Sequence, residues 1–220
     1  LLPVRDAAAT LAEALDCLQA QRGVSLQVVA VDDGSADDSL ALLRQRAEDW
    51  PALEVIAAEA EGVPAALERA RAVAVAPWIG RMDADDRCPP HRFQSLLDRA
   101  LDDDRPADVI GSRIEGFGQI SEAMDTYLRW QNGLLAHDEL VRNRFVESPL
   151  AHATALLRSS TLAAAGGWDP AAAWSEDVDL WCRLAAAGAR FAKLPEVLYQ
   201  WRLHPTQATR VDPRCAPDAM

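Results

Sequence analysis

Trp78-Ile79-Gly80-Arg81-Met82-Asp83-Ala84-Asp85-Asp86 runs a short apolar strand straight into three carboxylates within four residues. Like charges this close repel, so the stretch anticipates a cation or a positively polarised ligand. The D-x-D spacing discriminates weakly by itself. With roughly one Asp in ten positions, about two such matches arise by chance in a chain of this length. The sequence holds three: Asp83/Asp85, Asp102/Asp104 and Asp177/Asp179. Their places in the predicted architecture tell them apart.

Upstream of the acidic stretch, strands and helices alternate. Leu1 to Val4 reads as a strand, and Ala8 to Gln21 carries Leu11, Ala14, Leu15 and Leu18 at helical spacing before Gly23. Gln27 to Val31 is a nearly continuous apolar run of the kind a buried parallel strand shows, followed by the turn Asp32-Asp33-Gly34-Ser35. Asp37 or Asp38 can cap a helix to Glu48, Leu53 to Ala57 forms another strand, and Pro64 opens a helix to Val75. Trp78 to Met82 then delivers the acids. Pro89 or Pro90 opens a helix through Phe93, Leu96, Leu97 and Leu101, with Asp86 as a cap, and Val109 to Ser112 makes a further strand. This β-α-β-α order predicts an α/β fold with a parallel sheet covered on both faces, whose ligands bind beyond the carboxyl ends of the strands. Asp32/Asp33 and Asp83/Asp85 stand at such ends. Asp102/Asp104 lies in a polar turn after a helix, where solvation explains it.

The second half is less regular. Met124 to Leu140 reads as one helix, Ala153 to Leu157 as a strand, and Ser159 to Ala165 as a short helix closed by Gly166-Gly167. Glu176 to Ala187 is a helix ended by Gly188, and Val197 to Leu203 a strand leading to His204. In the helix from Glu176, Asp177 precedes Leu180, Trp181 and Leu184 at i+3, i+4 and i+7, so it heads the inward-facing stripe.

The 220 residues suffice for one substantial core, and the net charge of -12 excludes a non-specific nucleic-acid binder. No apolar run approaches the ~20 residues of a membrane span, and no signal-peptide pattern opens the chain. Cys17, Cys88, Cys182 and Cys215 show no C-x-x-C spacing, as expected of reduced thiols in a cytoplasmic protein.

Four segments in order resemble the family 2 glycosyltransferases, inverting nucleotide-sugar enzymes of GT-A fold. They are Val31 to Ser35; Arg81 to Asp86; Gly166-Gly167-Trp168-Asp169 with Ser175 to Trp181; and Leu194 to Leu198 with Trp201-Arg202-Leu203-His204. The resemblance implies a Rossmann-like, mostly parallel sheet flanked by helices. Residues 1–112 would form its nucleotide-sugar half and 113–210 its acceptor side, with 211–220 a flexible tail. It implies sugar transfer from a nucleoside-diphosphate donor, UDP-linked, to an acceptor hydroxyl of a glycan, lipid-linked or small molecule. Cell-surface polysaccharide or glycoconjugate synthesis is the implied setting, with peripheral association at a membrane as the implied attachment.

The same resemblance assigns roles. Asp33, and secondarily Asp32, would accept the imide proton of the base. The loop carrying Pro3 and Arg5 would reach base or ribose. Asp83, Ala84 and Asp85 would line the donor, with Asp85 ligating Mg²⁺ or Mn²⁺, Asp83 bonding the ribose or a metal-bound water, and His204 completing the metal shell or touching the diphosphate. Arg202 and Arg210 would be phosphate partners. Asp177, with Glu176 beside it, would supply the general base. His152, Trp168 and Trp174 would face the acceptor. The chain departs from the family pattern at Arg5, where Asn or Asp is usual with Asp6 next to it, and at Glu68, a carboxylate that must face away from a diphosphate or pair with Arg69 or Arg71. A sugar nucleotidyltransferase would need a Gly-rich loop where Arg5-Asp6-Ala7-Ala8-Ala9 stands, and a dehalogenase-like phosphatase would carry its D-x-D after the first strand. A degenerate nucleotide-sugar-binding domain remains the non-enzymatic alternative.

Overall fold

A computed structural model describes residues 1–172 and 175–204. Trp174, Arg210 and Cys215 lie outside them. Strands β1 (Leu2–Val4), β2 (Val28–Asp33) and β3 (Leu53–Ala58) pair in parallel in the order β1-β2-β3. A second group runs β4 (Trp78–Gly80), β6 (Leu156–Arg158), β5 (Val109–Gly118), β7 (Phe191–Leu203). The two groups are joined at Leu1, whose nitrogen donates to Gly80 O at 2.6 Å while its carbonyl accepts from Met82 N at 3.1 Å, the pattern of a parallel bridge.

The sheet is thus parallel except at β6, which pairs antiparallel with both β4 and β5. That inversion matters for the site. A strand running opposite to its neighbours starts where theirs end, so the segment before Leu156 is carried to the carboxyl edge. There Arg81 N bonds Ala155 O at 3.2 Å. Strand β7 is parallel to β5 and ends at the same edge, at Leu203.

Helices cover both faces. Leu11, Ala14 and Leu15 of α1 (Leu11–Gln19), Leu43 of α2 (Ser39–Asp49) and Phe93 and Leu96 of α4 (Arg92–Ala100) pack with Val28 and Ala30. The alternate residues Val29 and Val31 face the other way, onto Ala66 and Ala70 of α3 (Val63–Val73). On that same side Ile79, Val109 and Leu157 meet Leu140 of α6 (His137–Asn143), Leu162 of α7 (Ser159–Ala164) and Leu180, Trp181 and Leu184 of α8 (Glu176–Ala186).

Three sequence expectations change. The single helix over Met124 to Leu140 is two, α5 (Glu122–Gly133) and α6, because Glu139 turns back to accept Leu135 N at 3.0 Å and Ala136 N at 2.9 Å and so caps a new start. Strand β7 begins at Phe191 rather than Val197, and Pro195, which has no N–H to donate, falls where its register with β5 shifts. Asp86 caps no helix; α4 begins at Arg92, and Asp86 is buried in a long-range contact described below. Among the described residues no helix is long and apolar enough to cross a membrane.

Candidate functional site

The carboxyl edge gathers the loops after β1, β2, β3 and β4, the segment before β6, and the end of β7. At one side, Asp6 adopts a left-handed φ of 48° and stitches the first two loops together: its N–H donates to Ser35 Oγ at 3.0 Å and its carboxylate accepts from Ala36 N at 2.7 Å. Pro3 lies within β1 opposite Val31. Asp33 spends its two oxygens on Glu61 N (2.8 Å) and Gly62 N (2.9 Å), with Arg5 Nη1 3.8 Å away. Asp32 differs. Its Oδ2 accepts from Ser35 N at 3.2 Å, whereas its buried Oδ1 has no partner among the described residues. A buried carboxylate oxygen left without a donor is costly unless a ligand supplies one.

In the acidic loop the three carboxylates have three distinct environments. Asp83 is bound bidentately by Arg81, at 3.0 and 2.8 Å. Burial raises its pKa, opposed by the charge of Arg81. Asp85 Oδ2 lies 3.0 Å from His204 Nε2, a contact across 119 residues. Asp86 is 1% exposed; its Oδ2 accepts from the Tyr199 hydroxyl at 2.7 Å and its Oδ1 from Arg202 N at 2.6 Å. Burial, reinforced by Asp83 and Asp85, pushes its pKa up to about 8. The same Tyr199 oxygen accepts from Asp83 N at 3.0 Å. Asp86 and Tyr199 therefore latch the loop to β7, and the latch brings His204 to Asp85. Ala84 is packed, its carbonyl bonded to Thr10 Oγ1 at 3.1 Å. Arg202, expected as a phosphate partner, gives its guanidinium to Asp85 O at 2.6 Å and to Glu13, so its charge is already spent inside the protein.

The acceptor-side residues form a connected chain. Glu68 is taken up by protein partners: Arg71 pairs with it at 2.6 Å and it accepts from Trp168 N at 2.7 Å. Gly167 lets that contact form. Its φ is +71° and an added Cβ would sit 2.2 Å from Glu68 Oε1. Trp168 is 1% exposed, so its ring is core and offers no stacking face to an acceptor. Its indole N–H donates to His152 Nε2 at 2.8 Å. An indole can only donate, so the imidazole proton sits on Nδ1, which faces Glu176 Oε1 at 3.4 Å. Burial raises the Glu176 pKa, but His152 and Arg81 outweigh it and bring the carboxyl down to about 2. Asp177, one residue on, accepts from Ser148 Oγ on Oδ2 at 2.6 Å and from Val178 N and Ser175 Oγ on Oδ1.

The buried Arg81 ties the two sides together. Burial works against its charge, and Asp83, Glu176 and Asp177 overcome that and raise its pKa. Beneath it Arg92, with no exposure, bonds Arg81 O at 2.8 Å and Ala153 O at 2.5 Å. Sequence reasoning missed Arg92, Tyr199, Lys193 and Ser148. A charged residue at a helix's first turn and a Tyr in a strand carry no local signal of such reach. Among the described residues no group of three or more His, Cys, Asp and Glu side chains forms a ready metal cage. The Asp85–His204 pair nonetheless fits a hard divalent ion that takes its remaining ligands from phosphates and water, whereas Asp83 is occupied by Arg81. A cavity of about 340 Å³ lined by Arg99, Arg105, His137 and Phe191 opens by the start of β7 and also touches Lys193, whose ammonium holds the Ser148 loop.

A mostly parallel sheet with an acidic loop and a carboxylate-headed helix at its carboxyl edge is the arrangement of the GT-A class of nucleotide-sugar proteins. Residues 1–163 match the Glycosyl transferase family 2 profile, and the chain belongs to that family. It is 27% identical to an uncharacterized glycosyltransferase of Haemophilus influenzae over 88% of this chain and 70% of that protein. It is 28% identical to the succinoglycan biosynthesis protein ExoU of Rhizobium meliloti over 87% of this chain and 57% of that one. Among solved structures it is similar to S. aureus TarS 1-349 in complex with UDP-GlcNAc (TM-score 0.73, 18% identity, 94% of this chain and 58% of that one). It is also similar to the mannosyltransferase PcManGT of Pyrobaculum calidifontis in complex with GDP-Man and Mn2+ (TM-score 0.70, 21% identity, 90% and 55%). These likenesses show the fold. The chain spans less than two thirds of the length of both solved proteins.

Proposed function

We propose that this chain transfers a sugar, with inversion, from a UDP-linked donor to an acceptor hydroxyl in the assembly of a cell-surface polysaccharide or glycoconjugate, working at the cytoplasmic side of a membrane. The approach of Asp85 to His204 at 3.0 Å carries the reading. A carboxylate and an imidazole brought together from loops 119 residues apart, at the same sheet edge as a buried Asp32 oxygen that lacks a donor among the described residues, would make a site with one end for a nucleobase and another for a metal-bound diphosphate. The polysaccharide setting follows the naming of ExoU, and the donor class follows the ligands named for TarS and PcManGT.

Asp85 and His204 would hold Mg²⁺ or Mn²⁺, which when bound neutralises charge on the departing nucleoside diphosphate. Asp32 orients the base through its unpartnered oxygen, and Asp33 supports the pocket by ordering the Glu61-Gly62 backbone. Asp177 takes the acceptor proton as the acceptor oxygen bonds the anomeric carbon opposite the leaving group. Arg81 pairs with Asp83 and His152 faces Glu176 around that centre without occupying Asp177.

Calorimetric titration with UDP and GDP, each with and without Mn²⁺, tests the site. UDP binding strengthened at least tenfold by Mn²⁺ is expected, and lost dependence on Mn²⁺ in Asp85→Asn. Metal-independent binding would remove Asp85 and His204 from the site. Metal-dependent binding without turnover of any UDP-sugar would instead mark a nucleotide-sugar-binding domain that transfers nothing.

A further inference from the structure

We propose that Ser148, on the loop between α6 and β6, is the positioning residue that aims the Asp177 carboxylate at the acceptor. The inference rests on Asp177 being the base. The Ser148 side chain is buried, its Oγ lying 2.6 Å from Asp177 Oδ2 and 3.2 Å from Leu150 O. It also accepts the indole N–H of Trp181 at 3.2 Å. Trp181 is fully buried and stands four residues after Asp177 on α8. One rigid helix turn therefore supplies both the base and the indole that fixes the hydroxyl serving the base.

A hydroxyl has one hydrogen and two lone pairs. With the indole on one lone pair, the hydrogen has two places to go, Asp177 Oδ2 or Leu150 O. Beside the carboxylate it takes the shorter, charge-assisted contact. During transfer the acceptor O–H bond breaks and its proton passes to Asp177. The acceptor oxygen bonds the anomeric carbon, and the bond from that carbon to the diphosphate oxygen breaks with its electron pair. Ser148 can then turn its hydrogen to Leu150 O, so neither protonation state of Asp177 strands a buried donor. The loop cannot drift while this happens. Lys193 Nζ grips Pro149 O at 2.8 Å and Gln131 O at 2.7 Å, and the Tyr127 hydroxyl donates to Ser148 O at 3.3 Å.

The test follows release of nucleoside diphosphate from UDP-glucose, UDP-galactose, UDP-GlcNAc and GDP-mannose with Mn²⁺ and water as acceptor, in wild type, Asp177→Asn, Ser148→Ala, Ser148→Thr and Trp181→Phe. Ser148→Ala is expected to lower kcat roughly 10- to 100-fold with donor KM and UDP affinity within about twofold of wild type, the mark of lost orientation. Ser148→Thr, which keeps the hydroxyl, should recover most of kcat, and Trp181→Phe should fall between. Wild-type kcat in Ser148→Ala, or a loss that Ser148→Thr shares in full or that follows UDP affinity, overturns the positioning role. Wild-type turnover in Asp177→Asn, or no turnover by the wild type with any donor, overturns the reading of Asp177 itself.

Discussion

The two acidic clusters at the carboxyl edge are built on opposite terms. In the loop Asp83 to Asp86 two of the three carboxylates are answered by groups far away in sequence: Asp85 by His204 and Asp86 by Tyr199 and the Arg202 backbone. Asp83 alone has a near partner, Arg81. At the head of α8, the hydrogen-bond donors to Asp177 among the described residues are neutral: Ser148, Ser175 and the Val178 amide. The difference matches the chemistry each is proposed to serve. A site that holds a cation benefits from ligands locked in place by packing, with their charge offset. A base must keep a lone pair free, and neutral hydroxyl donors orient it without consuming its charge.

The contrast breaks most clearly by neutralising one acid in each cluster. Asp85→Asn is expected to abolish Mn²⁺-dependent turnover of the donor, by about three orders of magnitude, and to weaken UDP binding with it. Asp177→Asn should lower kcat about 10²- to 10⁴-fold while leaving UDP binding and its metal dependence intact. Calorimetry and initial rates on the same preparations read both. Equal effects of the two variants on UDP affinity would show that the clusters are one site with one role.

A smaller perturbation sharpens the first half of the comparison. Tyr199→Phe removes the hydroxyl shared by Asp83 N and Asp86 Oδ2 with little change in shape. Leaving those buried groups unpaired should cost about 2 kcal/mol in urea unfolding. If the latch is what carries His204 to Asp85, the Mn²⁺ enhancement of UDP binding falls in this variant although neither proposed ligand is altered. Unchanged enhancement with lowered stability would confine Tyr199 to the core.

The same distinction explains what the sequence could disclose. Strands β1 to β4, their helices and the acids at their ends were legible because each is written locally, in apolar runs, helical spacing and turn residues such as Asp33-Gly34. The stripe below Asp177 was legible for the same reason. The division of α5 from α6 was hidden, since Tyr127, Leu128, Leu134 and Leu135 keep an apolar rhythm across the break and Glu139 reads as an ordinary surface acid. The antiparallel entry of β6 and the early start of β7 are set by strand pairing between distant segments, which no local pattern encodes. The role of Asp86 was misread on those grounds: next to Pro89 and Pro90 it looks like a helix cap, and only β7 supplies its Tyr199 partner. Trp168 was expected to face the acceptor on the resemblance alone, whereas Glu68 and His152 draw it into the core.

The smallest effect concerns Glu176, which shares a helix turn with Asp177 and yet belongs electrostatically with the buried His152 and Arg81. Burial raises its pKa, but His152 and Arg81 bring it to about 2, below the 4.5 of an unhindered glutamate. A folded-state pKa depressed in this way adds stability that is fully present above the unfolded value and is lost as pH falls toward the folded one. The loss between pH 6 and pH 3 is about 2 kcal/mol before any discount and about 1 kcal/mol once its partial exposure is allowed for. Urea midpoints across that range should therefore fall less steeply in Glu176→Gln than in wild type, while the variant starts lower at pH 6. Parallel slopes would mean that Glu176 is no better held in the folded chain than in the unfolded one, and that the charge on Arg81 is answered without it.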